Sequence, residues 1–283
     1  MLLFLTDIHL DHLRVPQAAR AFGESLVREY PNAEALLVTG DIASGHNIER
    51  FLPEFAEGVA DRKIFWIEGN HDYYRSSIYK MQRRFRELDK LPNLVWLDTA
   101  EPVVFDDFVL VGKYSWYDAL NGTPLTSEVI LSDFSLVGEF RQVFNELEWA
   151  YMADRGSRNP LLVTLRRLAE TAVAEARVKL ERALKHSRHV LFATHVAPFE
   201  GAAWHEGKVS NSDWQPWFSC RQMGDMLQDV ASQHPDHRFL VLCGHSHSPG
   251  EYRPAPNLKV LTGKAEYGAP DVAGVLESPF AEW

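Results

Sequence analysis

Residues 63–72 read KIFWIEGNHD, and the fold turns on them. Lys63–Ile67 has the length and the β-branched and aromatic content of a buried strand. Gly69 frees the backbone for a sharp bend, and Asn70, His71 and Asp72 follow it together. Four other apolar runs end in the same way. LLFLT precedes Asp7 and His9, ALLVT precedes Gly40 and Asp41, HVLFAT precedes His195, and FLVLC precedes Gly244, His245, Ser246 and His247. In an open α/β sheet the carboxyl ends of the strands line the ligand crevice. Asp7, His9, Asp41, Asn70, His71, His195, His245 and His247 are therefore expected to meet, and such groups gathered at strand tips make a metal site.

Each signal is weak alone. Asp7-x-His9 is a short pattern that chance supplies often. In a strand, residues two apart point the same way, so both side chains can reach one metal. Gly40-Asp41 alone is a turn signal, Gly69–Asp72 alone is an Asn/Asp turn, and His195 alone is a satisfied core histidine. His245 and His247, two apart after a buried strand, form a chelating pair and a stronger signal. All five together, each at a strand end, leave the metal site as the better account.

Outward from the motifs, strands are expected at Leu2–Thr6, Ala35–Thr39, Lys63–Ile67, Leu94–Leu97, Phe108–Val111, His189–Thr194, Phe239–Cys243 and Leu258–Leu261. Helical patterns cover Pro16–Tyr30, Ile48–Ala60, Ser76–Leu88, Asn159–His186 and Arg221–Gln233. Strand and helix alternate in the first third, which predicts a parallel sheet. The close strands between Leu94 and Val111 predict a hairpin or meander and a second, more antiparallel sheet. Leu161, Leu165, Leu168, Ala172, Ala176, Leu180 and Leu184 mark one amphipathic helix of roughly 40 Å. Its stripe reads as core and its Arg/Glu face as solvated. Site residues run from position 7 to 247 and no linker divides them, so residues 1–283 read as a single domain. An aromatic and acidic insertion lies near 113–156, with Trp116, Tyr117, Asp133, Trp149 and Tyr151, and an irregular stretch covers 196–219.

The chain has 283 residues and a net charge of −10. An acidic surface argues against non-specific binding of duplex nucleic acid. It does not exclude an anionic substrate, because bound cations dominate the local field. The apolar start ends at Leu5, too short for a signal-peptide core, and no apolar stretch is long enough for a membrane span. Cys220 and Cys243 cannot make a disulfide framework, which suits a reducing cytoplasm.

In order, the motifs D-x-H, GD, GNHD, a single His and GHSH resemble those of the calcineurin-like metallophosphoesterases, over most of the chain. The resemblance implies an α/β fold: a four-layer α/β/β/α sandwich of two mixed β-sheets with the metal site at the carboxyl ends of the strands. It implies two divalent ions bridged by Asp41. Asp7, His9 and His247 would hold the first, and Asn70, His195 and His245 the second. His71 would stay off the metals and face the phosphate. A carboxylate can bridge two cations where an imidazole cannot. Donors without thiolate suit Mn²⁺ first, with Fe, Zn²⁺, Ni²⁺ or Mg²⁺ as alternatives. Two such ions activate a bridging water for direct attack on phosphorus. His71 is the candidate acid for the leaving oxygen, with Asp72 orienting it.

Asp41 is followed by Ile-Ala-Ser-Gly, unlike the Ser/Thr protein phosphatases, and Ser44 replaces the tyrosine ligand of the purple acid phosphatases. GNHD is closer to bacterial phosphodiesterases and nucleases. The expected substrate is a phosphodiester or small phosphorylated metabolite. A phosphomonoesterase or nuclease of the same family is the alternative, and a non-catalytic protein-binding scaffold is the alternative of another class. Residues 6–12 also partly match the H-x-H-x-D-H of metallo-β-lactamase-type hydrolases, but that reading leaves GNHD and GHSH unexplained. Substrate contacts are expected from His12, Tyr73, Arg75, Trp116, Tyr117, Trp204 and His205. Asn47 and His46 are further lining candidates. Arg75, Lys80, Arg83, Arg84 and Arg86 read as a solvated helix face.

Overall fold

In the computed structural model, which describes residues 1–144, 159–281 and 283, the apolar runs form the interiors of two facing sheets. The first sheet has the order β13-β1-β2-β3-β4. Its strands are β1 (Leu2–Leu5), β2 (Ala35–Thr39), β3 (Lys63–Ile67), β4 (Leu94–Trp96) and β13 (Gly274–Leu276). β1 to β4 are parallel and only β13 runs against them. The second sheet has the order β11-β12-β10-β7-β6-β5. It uses β5 (Val103–Val104), β6 (Val109–Gly112), β7 (His189–Ala193), β10 (Arg238–Cys243), β11 (Gly250–Ala255) and β12 (Leu258–Thr262). A two-residue pair, β8 (Trp204–His205) with β9 (Lys208–Val209), stands apart.

The strands are apolar on both faces because both faces are covered. Leu2, Phe4, Ala35, Leu37, Phe65 and Ile67 of the first sheet share a core with Leu110, Leu191, Ala193, Leu240 and Leu242 of the second. The alternate residues, such as Leu3, Leu36, Trp66, Phe192 and Val241, turn the other way into a core shared with the helices. Those helices are α1 (Pro16–Glu29), α2 (Ile48–Gly58), α3 (Ile78–Leu88), α4 (Pro160–Ala183) and α5 (Arg221–Gln233). The four layers α/β/β/α follow. Pro at the first turn begins α1 and α4, where its missing N–H costs nothing. The Asn159 side chain also accepts from Leu161 N at 2.9 Å, a standard N-cap.

Two expectations change. The stretch from Leu94 to Val111 is not one meander. β4 pairs parallel with β3 in the first sheet, and β5–β6 forms the hairpin in the second. The second sheet is not antiparallel inside: β6-β7, β7-β10 and β10-β12 are parallel, and its antiparallel pairs lie at the β5 and β11 edges. Parallel strands bring their carboxyl ends to one end of the sandwich, as the site requires. Of the expected insertion near 113–156, Trp149 and Tyr151 lie outside the described residues.

Candidate metal centre

The ligand candidates stand just past the strands, on unusual backbone. β1 ends at Leu5, so strand alternation does not align Asp7 with His9, as had been expected. Instead Asp7 (φ 49°), His9 (φ 37°), Asp41 (φ 51°), His245 (φ 70°) and His247 (φ 60°) all adopt the left-handed region. Non-glycine residues visit it rarely, and such strain gathers where a site over-determines it. The turns hold one another. Asp7 N donates to Gly40 O and His9 N to Asp41 O, both at 3.0 Å. His71 N donates to Asp41 Oδ1 at 2.9 Å, and His245 N to Asp7 Oδ2 at 3.0 Å. The glycines of the motifs are explained by close approach. A Cβ on Gly69 would run into the Asp41 carboxylate, and one on Gly244 into that of Asp7.

Two donor clusters result, each with its donor atoms within 4.8 Å of one another: Asp7, His9, Asp41 and His247, and Asp41, His195 and His245. Asp41 belongs to both. His9 Nε2 faces His247 Nε2 at 3.3 Å, and His247 Nε2 lies 3.3 Å from Asp7 Oδ1. His195 Nε2 lies 3.4 Å from Asp41 Oδ1. Asn70 Oδ1 completes the second cluster, 3.0 Å from His195 Nε2 and 2.9 Å from His245 Nδ1. The His245–His247 pair therefore does not chelate one point; each ring serves a different cluster.

The donor chemistry fits cations. His195 Nδ1 meets Thr39 O at 2.7 Å, and His245 Nε2 meets Trp217 O at 2.9 Å. A carbonyl only accepts, so these nitrogens carry N–H and the opposite nitrogens, His195 Nε2 and His245 Nδ1, face the centre, as in metal-binding imidazoles. Inside they meet the amide oxygen of Asn70 and the carboxylate of Asp41, so neutral rings there set acceptor against acceptor. Burial pushes His9 and His245 down to about 4, so both are neutral donors. Burial opposes charge on Asp7 and Asp41 too, but the surrounding imidazoles hold both carboxyls well below the usual range. His195 is desolvated as well, yet Asp41 and Asp7 raise it to about 10. Its proton stands where a positive charge is called for.

The sequence model of the family described as calcineurin-like phosphoesterase matches residues 1–249. The chain belongs to the calcineurin-like phosphoesterases. The family works with two divalent ions in metal-dependent phosphoester hydrolysis, and the two clusters sharing Asp41 agree with that. Among solved structures the chain resembles a dimetal phosphatase from Danio rerio, at 16% identity over 95% of this chain and 88% of that one, with a TM-score of 0.54. It also resembles the protein TT1561 of Thermus thermophilus, at 14% identity over 93% and 88%, with a TM-score of 0.51. At these identities the likeness concerns the fold alone. No curated protein matches the chain in sequence.

Beside this calcineurin-like centre opens a cavity of about 300 Å³. Asn70, His71, His245 and His247 form its floor, and Tyr74, Asp133, His205, Trp214, Phe218 and Tyr267 are among its walls. No Lys or Arg lines it among the described residues. His71 is partly open to it, 19% exposed, with Nε2 3.8 Å from Asp41 Oδ2. Asp72 does not touch the His71 ring. Its Oδ1 accepts from Ile42 N and Ala43 N at 2.9 Å and its Oδ2 from Gly69 N at 2.7 Å. It ties the GD turn to the GNHD turn.

Of the expected substrate contacts, His205 lines the cavity; His12, Tyr73, Arg75, Trp116, Tyr117 and Trp204 do not. Tyr73 is buried and donates to Glu68 Oε1 at 2.9 Å. Trp116 packs on Phe140 and Tyr73, and Tyr117 lies beneath His245 with ring centroids 6.0 Å apart. Trp204 is half-buried beside Gly250. Arg75 and His12 are exposed, and His12 stacks on Tyr267 at 4.8 Å. Tyr74, Asp133, Trp214, Phe218 and Tyr267 line the cavity without having been expected as contacts. Tyr74 adjoins the GNHDY run, and its neighbour Tyr73 drew the expectation instead. Tyr267 sits in an irregular segment after β12 and carries no local signal.

Proposed function

We propose that this chain hydrolyses a phosphodiester, or a small phosphorylated metabolite, by direct in-line attack of water and without a covalent enzyme intermediate. One observation carries the reading: two clusters of inward-facing ligand atoms that share the Asp41 carboxylate. In it Asp7, His9 and His247 would hold one ion, Asn70, His195 and His245 the other, and Asp41 would serve both. When bound, the pair of ions acidifies a water and neutralises the phosphoryl oxygens. Manganese suits these oxygen and nitrogen donors best, with Fe, Zn²⁺, Ni²⁺ and Mg²⁺ also accommodated.

His71 protonates the leaving oxygen. It is the one imidazole on the cavity floor that belongs to neither cluster, and its backbone N–H on Asp41 fixes its distance from the centre. Asp72 supports it through the turn, by holding the amides of Ile42, Ala43 and Gly69. The cavity suits a compact ester carrying one phosphoryl group, because among the described residues no Lys or Arg lines it to neutralise a second. Its aromatic walls suit a planar or apolar alcohol part. The buried free cysteines are in keeping with a reducing cytoplasm, and no described helix is long and apolar enough to cross a membrane.

The test is hydrolysis of bis-p-nitrophenyl phosphate and p-nitrophenyl phosphate with and without added Mn²⁺. The expected result is metal-dependent turnover, with inversion at a chiral thiophosphate diester. Net retention would defeat direct attack. No metal-dependent turnover, here or on a wide panel of phosphate esters, would favour the non-catalytic scaffold. That second reading is disfavoured because no ligand position is missing.

A further inference from the structure

Asn70 is the weak point of the second cluster. Its amide can present oxygen or NH₂ to the centre, and only the oxygen can bind a cation. With no cation bound the wrong end is attractive to one neighbour, because His245 Nδ1 aims a lone pair at it from 2.9 Å. A flipped amide would donate to that ring. A partner outside the cluster can settle which way it turns.

We propose that Tyr74, backed by Asp133, is a positioning residue that sets which end of the Asn70 amide faces the second ion. The inference rests on the ligand assignment proposed above. Asp133 begins a short helix, Asp133–Leu136, and is 1% exposed. Tyr74 Oη donates to Asp133 Oδ2 at 3.0 Å. Asn70 Nδ2 in turn donates to Tyr74 Oη at 3.4 Å. The chain of bonds has a direction. An ionised Asp133 can only accept, so the phenol proton is committed to it. The phenol oxygen then offers Asn70 only lone pairs, and these take the amide N–H. The amide oxygen is left for the ion. The Tyr74 ring also lies against His71, with centroids 4.2 Å apart and planes at 28°, so one side chain steadies a ligand and the proposed acid together. The stretch that supplies Asp133 thereby acts on metal binding without touching metal.

Tyr74→Phe separates the two contacts, since it keeps the ring on His71 and removes the hydroxyl. Titrated with Mn²⁺ alone, the variant should bind the second ion about 10- to 100-fold more weakly, the usual scale for losing an outer partner of a ligand. The first ion should bind unchanged. Asp133→Ala, which leaves Tyr74 in place, should weaken the same ion. In an Asn70→Asp background Tyr74→Phe should cost nothing further, because a carboxylate presents oxygen whichever way it turns. Unchanged affinities in Tyr74→Phe, or an equal loss in the Asn70→Asp background, would overturn the proposal. Because Mn²⁺ binding is the readout, the outcomes separate. Two bound ions with no hydrolysis of any ester defeat the proposed reaction and leave this inference standing. A wild-type chain that takes up no second ion defeats both.

Discussion

Asp41 is where single substitutions should be felt most. Its two oxygens serve both clusters, and it also receives the His71 amide. Asp41→Asn keeps the volume and one acceptor but gives up the bridge. We expect loss of one of two bound ions and a fall in kcat/KM of about 1000-fold, the scale of losing one preorganised electrostatic partner. Metal analysis beside kinetics checks it; a fully active variant with both ions would remove Asp41 from the bridge. His71→Asn should leave the ion count at two and lower kcat by about 100-fold or more, chiefly on esters with poor leaving groups. Full kcat on such an ester would remove His71 from the proposed acid role. Glu68, just before the GNHD motif, gives a pH signature. Burial, and then Asp98, raise its carboxyl from 4.5 to about 8. Between those values the folded chain keeps a proton that the unfolded chain has released, so this group lowers stability as pH climbs through that window. Glu68→Gln can still serve Trp96 Nε1, which Glu68 accepts at 2.6 Å, and no longer titrates. Melts near pH 5 and near pH 8 should show the variant gaining on wild type as pH rises; a constant difference would show that Glu68 ionises normally.

The strands and long helices were legible because each carries a local pattern. Apolar runs bounded by Gly and Asp/His named the parallel strands, and helices fell within three residues of the boundaries that periodicity sets. The stripe on α4 packs as read: Leu161, Leu165, Ala176 and Leu180 are fully buried. Leu165→Ala should therefore cost about 2–5 kcal/mol by leaving a cavity, with Mn²⁺ binding unchanged. A loss well under 1 kcal/mol in chemical denaturation would mean that the stripe is not core. The polar face was read less well. Lys179 is buried and donates to Leu97 O and to Gly112 O, joining α4 to the ends of β4 and β6. Spacing says which way a side chain leaves its helix but not what a neighbouring loop brings to meet it. The edges β11 and β13 escaped for a related reason. Neither has a fully buried residue, so no apolar run marks them. Aromatics gave the least. Tyr73 and Tyr74 are adjacent, yet one packs on Trp116 and the other lines the cavity, and composition cannot tell them apart.

Across the whole molecule the centre belongs to neither sheet. Turns after β1, β2 and β3 supply Asp7, His9, Asp41 and Asn70, while those after β7 and β10 supply His195, His245 and His247. Ions held there link the two halves of the sandwich. Chelation should then lower the melting temperature by several degrees, since ligand at 100 times its Kd stabilises by about 2.7 kcal/mol, and Mn²⁺ should restore it. Identical melting with and without chelator would deny that the ions join the sheets. The shared centre also bears on how the cage is assembled. More than two hundred positions separate Asp7 from His247, and neither sheet alone presents the full set of donors. The two sheets meet through Leu2, Phe4, Leu191, Leu242 and their neighbours. Slippage between the halves of the sandwich would therefore open the cage even with every ligand side chain intact.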